Sequence, residues 1–276
     1  MTLRCLSLPF ASFRLGAYAL AVFGCLNGAA GIPQQALAQT QTQTQAQQEP
    51  KLDVIYVPTP QEVVDRMLEI AKVGQRDYMI DFGCGDGRMV VTAAKRGARG
   101  YGVDINPARI KEANENAAKA GVTDRVEFKI ANLFEEDLSK ADVMAMYLLT
   151  EINLRLRPKI LDTMKPGARV VSHAFDMGDW EPDHREIVAN KTIYYWMVPA
   201  KVGGKWQVEG SDKFTLELDQ KYQKVSGKTA NGGDVTGRLR GTEIELTIDA
   251  DGKKQELKGN VSGNQIVGSG WKAIKS

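Results

Sequence analysis

At 276 residues, with ordinary apolar and charged fractions, the chain has room for one large globular domain or for a medium one with a small companion. The first 38 residues hold Arg4 and Arg14 and no acid; without them, 34 basic residues face 34 acidic ones. A neutral body argues against a general nucleic-acid or anionic-membrane binder, which needs a net basic surface, and leaves room only for a local basic patch.

The N-terminus reads as a secretory signal, residues 1–38. Arg4 and Arg14 precede the apolar stretch from Leu15 to Leu26, and Ala36-Leu37-Ala38 has the small-x-small pattern of a cleavage site. The expected location is therefore periplasmic or secreted, with no membrane span in the mature chain, since the apolar core is shorter than the ~20 residues of a spanning helix. A lipoprotein modified at Cys25, an uncleaved anchor and an organelle presequence are the alternatives. Cleavage after Ala38 leaves Cys84 as the sole cysteine, so no internal disulfide can form. Gln39 to Gln48 alternates Gln and Thr and has too little apolar surface to offset its ordering entropy, which predicts a disordered tether over residues 39–51.

The first domain is expected over 52–190. Thr59-Pro60-Gln61-Glu62 has the form of a helix start, with a Thr cap, Pro at the first helical position and Glu in capping-box register. Val63, Val64, Met67, Leu68 and Ala71 then form one apolar face. Beyond Asp77, strand-like and helix-like runs alternate. Strands are predicted at Tyr78–Phe82, Gly100–Asp104, Val126–Ala131, Asp142–Tyr147 and Ala168–Ala174, and helices at Met89–Arg96, Pro107–Ala120 and Pro158–Met164. Such alternation implies an α/β fold, a Rossmann-like doubly wound and mostly parallel sheet that binds ligands at the carboxyl ends of its strands.

A second domain is expected over 191–276, where short period-two runs replace the helical signals: Ile193–Val198, Phe214–Leu218, Ile244–Ile248 and Gln255–Leu257. Gly237 to Ile244 is echoed in its glycines and apolar positions by Gly259 to Ile266. Two copies suggest repeated hairpins in a small antiparallel β meander or barrel.

Chemistry concentrates at Asp81-Phe82-Gly83-Cys84-Gly85-Asp86-Gly87, where an apolar run turns sharply into a helix. The free N–H groups of a helix start suit an anionic group. Asp104, ending the next strand about twenty residues on, can accept both hydroxyl protons of a ribose. The glycine spacing departs from the G-x-G-x-x-G of dinucleotide folds. Asp81 would repel a pyrophosphate and attract an ammonium group. A nicotinamide oxidoreductase is thereby disfavoured. Cys84 is read as a small residue in a tight turn, and His184 beside Asp183 falls short of a metal site, so no metal is expected.

This constellation resembles class I S-adenosylmethionine-dependent methyltransferases, whose first motif is an acid followed by x-G-x-G-x-G. The resemblance covers about Val54 to Asp183. It implies S-adenosyl-L-methionine as cofactor, with Asp81 facing its amino-acid moiety and Gly83 and Gly85 letting the backbone approach it. Asp104 would then hold the ribose, and Asn132 and Leu133 would flank the adenine. Val57-Pro58-Thr59-Pro60, Gly85-Asp86-Gly87-Arg88 and Lys165-Pro166-Gly167-Ala168-Arg169 resemble mitochondrial protein-lysine methyltransferases and their bacterial relatives, which implies a protein lysine as acceptor. The segment Tyr147 to Asn153 would line the acceptor pocket, and Tyr147, Glu151 and Asn153 are the candidates for orienting or deprotonating the amine. His173 is read as a sheet-end histidine more readily than as a base. A second function of a different class is an exported, non-catalytic binding protein that kept the fold and works through its β domain.

Overall fold

The computed structural model describes residues 56–211, 213–250 and 252–276. The signal and tether expectations fall on residues outside that range. The first helix, α1 (Gln61–Ile70), buries Val63, Val64, Met67 and Leu68, the face its periodicity predicts. Its expected Thr cap is not formed: the Thr59 hydroxyl is hydrogen-bonded at 3.0 Å to Nδ1 of His173, 114 residues away, so a long-range contact replaces the local one.

Five strands alternate with helices as the pattern demands: β1 (Tyr78–Phe82), α2 (Arg88–Lys95), β2 (Arg99–Asp104), α3 (Pro107–Ala120), β3 (Val126–Ile130), β4 (Val143–Met146), α4 (Thr150–Thr163) and β5 (Arg169–His173). Helix α3 follows its local signals closely. Asn106 accepts a bond from the Ala108 N–H, Pro107 opens the helix, and Gly121 closes it with φ +68°. Helix α4 begins eight residues before the predicted Pro158 start. Proline most often marks a first turn, but Pro158 lies inside this helix, whose Ile152, Leu156 and Ile160 are buried.

Two further strands, β6 (His184–Val188) and β7 (Lys191–Met197), complete a seven-stranded sheet of order β3-β2-β1-β4-β5-β7-β6. Strands β1 to β5 run parallel, and β7 runs antiparallel between β5 and β6. The domain boundary expected at Lys191 is corrected by this pairing. Ile193–Val198 has the period-two grammar of a barrel strand, yet Ile193 and Tyr195 pack on the α1 side of the sheet and Trp196 on the opposite side. The change of domain lies between Met197 and Gly204.

Eight strands then close into an antiparallel barrel: β8 (Gly204–Glu209), β9 (Phe214–Lys221), β10 (Lys224–Thr229), β11 (Asp234–Arg240), β12 (Glu243–Ala250), β13 (Lys253–Ser262), β14 (Gln265–Gly268) and β15 (Trp271–Lys275). The two echoing segments are the β11–β12 and β13–β14 hairpins, each turning through two residues with a left-handed glycine first, Gly241 and Gly263. Trp206, Leu216, Leu246 and Ile266 are among the side chains that fill the barrel. Closure removes the exposed strand edges an open meander would leave. No described helix is long and apolar enough to cross a membrane.

Candidate active site

The parallel strands aim their carboxyl ends at a cavity of about 560 Å³. The backbone that shapes it is left-handed at Gly83, Gly85 and Gly87, with φ of +71°, +52° and +75°. At Gly87 a methyl group would strike Phe128 and Ala113, so α2 can start close against its neighbours only on a glycine. Asp104 at the end of β2 fixes this loop: one carboxylate oxygen accepts the Gly85 N–H at 3.0 Å, the other the Asn106 N–H at 2.9 Å.

Three carboxylates line the cavity, each in a different electrostatic state. Asp81 is buried at the end of β1, and burial, reinforced by the charges of Asp104 and Asp86, pushes its pKa well above the carboxylate range. For Asp86 burial acts upward too, but hydrogen bonds from Arg88, at 2.9 Å and 2.6 Å, hold its pKa below the usual value. The same guanidinium donates to the Thr59 carbonyl at 2.8 Å, tying the segment before α1 to the loop. Asp104 is half-buried, its carboxylate partly engaged with the loop.

Pro58, Thr59, Tyr147, Leu149, Ile152 and Phe175 contribute uncharged side chains to the cavity wall, and Arg88 reaches the same wall at the Thr59 carbonyl. The Tyr147 ring lies 3.9 Å from the His173 ring and 5.9 Å from that of Phe175, nearly parallel to the latter. His173 is buried, and desolvation, helped by the Lys191 charge, lowers its pKa to about 4. It is a neutral ring behind Tyr147 and too weak a base to take a proton at neutral pH.

Of the residues singled out by sequence, Asp81, Gly83, Asp104, Asn132, Leu133 and Tyr147 all line this one cavity. Gly85 does not, because the Tyr56 ring covers it, so closely that a Cβ at Gly85 would overlap the ring. Two of the three residues expected to act on the acceptor are also corrected. Glu151 is exposed in the first turn of α4 and does not line the cavity. Asn153 is fully buried and donates to the carbonyls of Phe175 and Asp176, at 3.3 Å and 3.1 Å, so it holds a loop. Both follow Tyr147 closely in sequence, but the helix turns them elsewhere.

Sequence reasoning missed Tyr56, whose ring also stacks under the Arg109 guanidinium at 4.7 Å, and Phe175, which reaches the wall from beyond β5. Tyr56 directly precedes Val57-Pro58-Thr59-Pro60, which was the available signal. Phe175 had none. Among the described residues no cluster of His, Cys, Asp and Glu is placed to hold a metal. Cys84 is buried, and burial raises its thiol pKa, so it is inert in this setting.

The comparisons with known proteins agree with this geometry. Residues 81–184 match the family described as the ANTKMT methyltransferase domain. A protein-lysine N-methyltransferase of Saccharolobus islandicus is 48% identical over 153 residues, which take in 52% of this chain and 94% of the relative. The chain belongs to the S-adenosylmethionine-dependent methyltransferases. A solved structure described as an RNA methyltransferase from Salinibacter ruber, in complex with S-adenosyl-L-homocysteine, shares 49% identity with a TM-score of 0.52. It matches 53% of this chain and 96% of that one. More distantly, the adenine nucleotide translocase lysine N-methyltransferase of Mus musculus is 30% identical over 133 residues, which take in 48% of this chain and 58% of that protein. The methyltransferase's cofactor is S-adenosyl-L-methionine. The alternative of a non-catalytic binding protein finds no support in these relatives, and the barrel interior is packed with apolar side chains. The family match ends at His184, the first residue of β6, before the barrel begins.

Proposed function

We propose that this methyltransferase transfers its methyl group to the ε-amine of a protein lysine. The observation that carries the reading is the set of uncharged side chains, Pro58, Thr59, Tyr147, Leu149, Ile152 and Phe175, that share one cavity wall with Asp81 and Asp104. A sulfonium methyl is already activated, so the protein has mainly to align a lone pair behind it and exclude water. An ammonium has no lone pair, and an apolar, desolvated wall favours the neutral amine over the cation. The methylated product, once protonated, is attracted to the face of the Tyr147 ring. The names of the Saccharolobus islandicus and Mus musculus relatives support the same acceptor class.

In this reading Asp81 pairs with the ammonium of the cofactor, whose positive charge favours the carboxylate form that burial disfavours. Asp104 accepts the ribose hydroxyls with the lone pairs that the loop leaves free. Leu133 and the exposed Ile105 offer apolar surface to the adenine, with Asn132 at its edge. Gly83 keeps the β1 loop low enough for the cofactor to lie across it, and Gly85 backs the loop under Tyr56.

The Salinibacter relative's description favours a second reading, a nucleic-acid acceptor. Incubating the purified protein with methyl-labelled S-adenosyl-L-methionine and, separately, with total protein and total RNA distinguishes the two. Label in protein, recovered as N-methylated lysine after hydrolysis, is the expected result; label confined to RNA overturns it.

We also propose export with cleavage after Ala38. Fractionation followed by N-terminal sequencing should find a mature chain beginning at Gln39 outside the cytoplasm, and an intact Met1 on cytoplasmic protein contradicts it.

A further inference from the structure

The wall residue Phe175 belongs to a loop, residues 174–183, that leaves β5 and returns to the start of β6. Its first residue, Ala174, has φ +66°, an unfavourable conformation for a residue with a Cβ. Such a turn persists only where its surroundings hold it, and here they hold it from two sides.

From inside the sheet domain, Asn153 donates to the carbonyls of Phe175 and Asp176, and Arg157 donates to the Met177 carbonyl at 2.6 Å. From outside, the holding group is the turn between β9 and β10 of the barrel. Tyr222 donates its hydroxyl to Asp179 at 2.9 Å and lays its ring on Trp180, centroids 6.0 Å apart and 23° from parallel. Gln223, buried, donates its amide to the Glu181 carbonyl at 2.7 Å. Three acids of the loop face three barrel bases: Asp179 and Lys221 at 3.0 Å, Glu181 and Lys224 at 2.7 Å, Asp183 and Arg238 at 2.9 Å. The first two pairs are solvent-exposed and individually weak, while Asp183 of the third is mostly buried; the stacked ring and the buried amide are the stronger ties to the loop. Tyr222 is itself left-handed, with φ +55°, so both sides of the seam hold a residue in an unfavourable backbone conformation.

We infer that the β9–β10 turn of the barrel is a positioning element for methyl transfer, fixing the 174–183 loop so that Phe175 forms the acceptor wall. The inference rests on the reading that this wall receives the acceptor. Tyr222 and Gln223 touch neither acceptor nor cofactor; they act through the loop. Loosening them should therefore impair acceptor use and leave the cofactor end, built from β1, β2 and their loops, unaffected.

The test uses the full chain as wild type, Tyr222→Ala, Tyr222→Phe and the remote surface control Lys258→Ala. Three quantities are measured: the Kd for S-adenosyl-L-homocysteine, hydrogen exchange of the 174–183 amides, and methyl transfer to poly-L-lysine. In Tyr222→Ala the loop amides should exchange faster, and kcat/KM for poly-L-lysine should fall about tenfold through a misplaced wall. The S-adenosyl-L-homocysteine Kd should stay within about twofold, as expected for a distant, uncoupled site. Tyr222→Phe keeps the ring on Trp180 and should recover most of the loss, and Lys258→Ala should match wild type. Unchanged exchange and transfer in Tyr222→Ala overturn the inference. So does a parallel loss of S-adenosyl-L-homocysteine binding, which would mean general unfolding. A wild type that binds S-adenosyl-L-homocysteine but never methylates poly-L-lysine counts against the lysine acceptor, and the exchange measurement then decides the positioning role by itself.

Discussion

In the barrel, Trp206 and its apolar neighbours fill the interior, and the Trp206 ring N–H is bonded to the Val202 carbonyl at 2.7 Å. At the carboxyl ends of the sheet the opposite holds. Asp81 is buried beside an open cavity, Gly83, Gly85 and Gly87 are all left-handed, and Ala174 is forced into the same region without being glycine. One region is closed and, apart from the left-handed Tyr222 at its seam, locally consistent. The other keeps unfavourable groups in place for a ligand to relieve, the pattern expected where stability is exchanged for function.

Substitutions should separate the two. The largest effect belongs to the barrel: Trp206→Ala should cost about 3–5 kcal/mol of stability, as emptied aromatic sites do, while the molecules that remain folded keep their cofactor affinity. Denaturant melts paired with a titration read both; a matching fall in affinity would mean the regions are not distinct.

His173 gives the next largest effect. Its pKa is held at about 4 in the folded protein by burial, then by Lys191, against about 6.5 when unfolded. Between these values the unfolded chain binds a proton that the folded one does not, so stability falls as pH drops from about 6.5 to about 4, by up to about 3 kcal/mol. In His173→Asn the slope of stability against pH in that window should shrink by close to one proton. An unchanged slope would show that His173 is not the group that titrates.

A smaller effect, about 1–2 kcal/mol, is expected for Gly85→Ala, where a left-handed φ and the Tyr56 ring both oppose a Cβ. Thermal melts of Gly85→Ala with and without Tyr56→Ala tell the causes apart: recovery in the double variant assigns the cost to the ring, and none assigns it to the backbone. The smallest effect is for Tyr147→Phe, which keeps the wall and removes one hydroxyl. Transfer to a lysine acceptor should change less than about threefold, because the ring and not proton transfer is what the site uses there. A loss of about a hundredfold would make the hydroxyl an acid–base group after all.

What could be read from sequence follows the range of the interactions involved. β1 matches its predicted range because an apolar run bounded by Asp77 and the glycine loop leaves no choice, and α3 because cap, proline and terminal glycine are local signals. Asp81, Gly83, Asp104, Asn132 and Leu133 come together in one cavity for the same reason, since they stand at or just beyond strand ends. The failures are tertiary. Thr59 gives its hydroxyl to His173 instead of its own helix. The charged edge strand β6 has no apolar alternation to show, and β7 shares the grammar of barrel strands. Asn153 follows Tyr147 by six residues, yet α4 turns it toward the loop carbonyls.

The central claim is that the acids at the ends of β1 and β2 form the cofactor site. A calorimetric titration with S-adenosyl-L-homocysteine of wild type, Asp81→Asn and Asp104→Ala tests it most directly. One site per chain is predicted, with affinity about a hundredfold weaker in Asp104→Ala, which loses two charge-assisted hydrogen bonds. Wild-type affinity in both variants would contradict it.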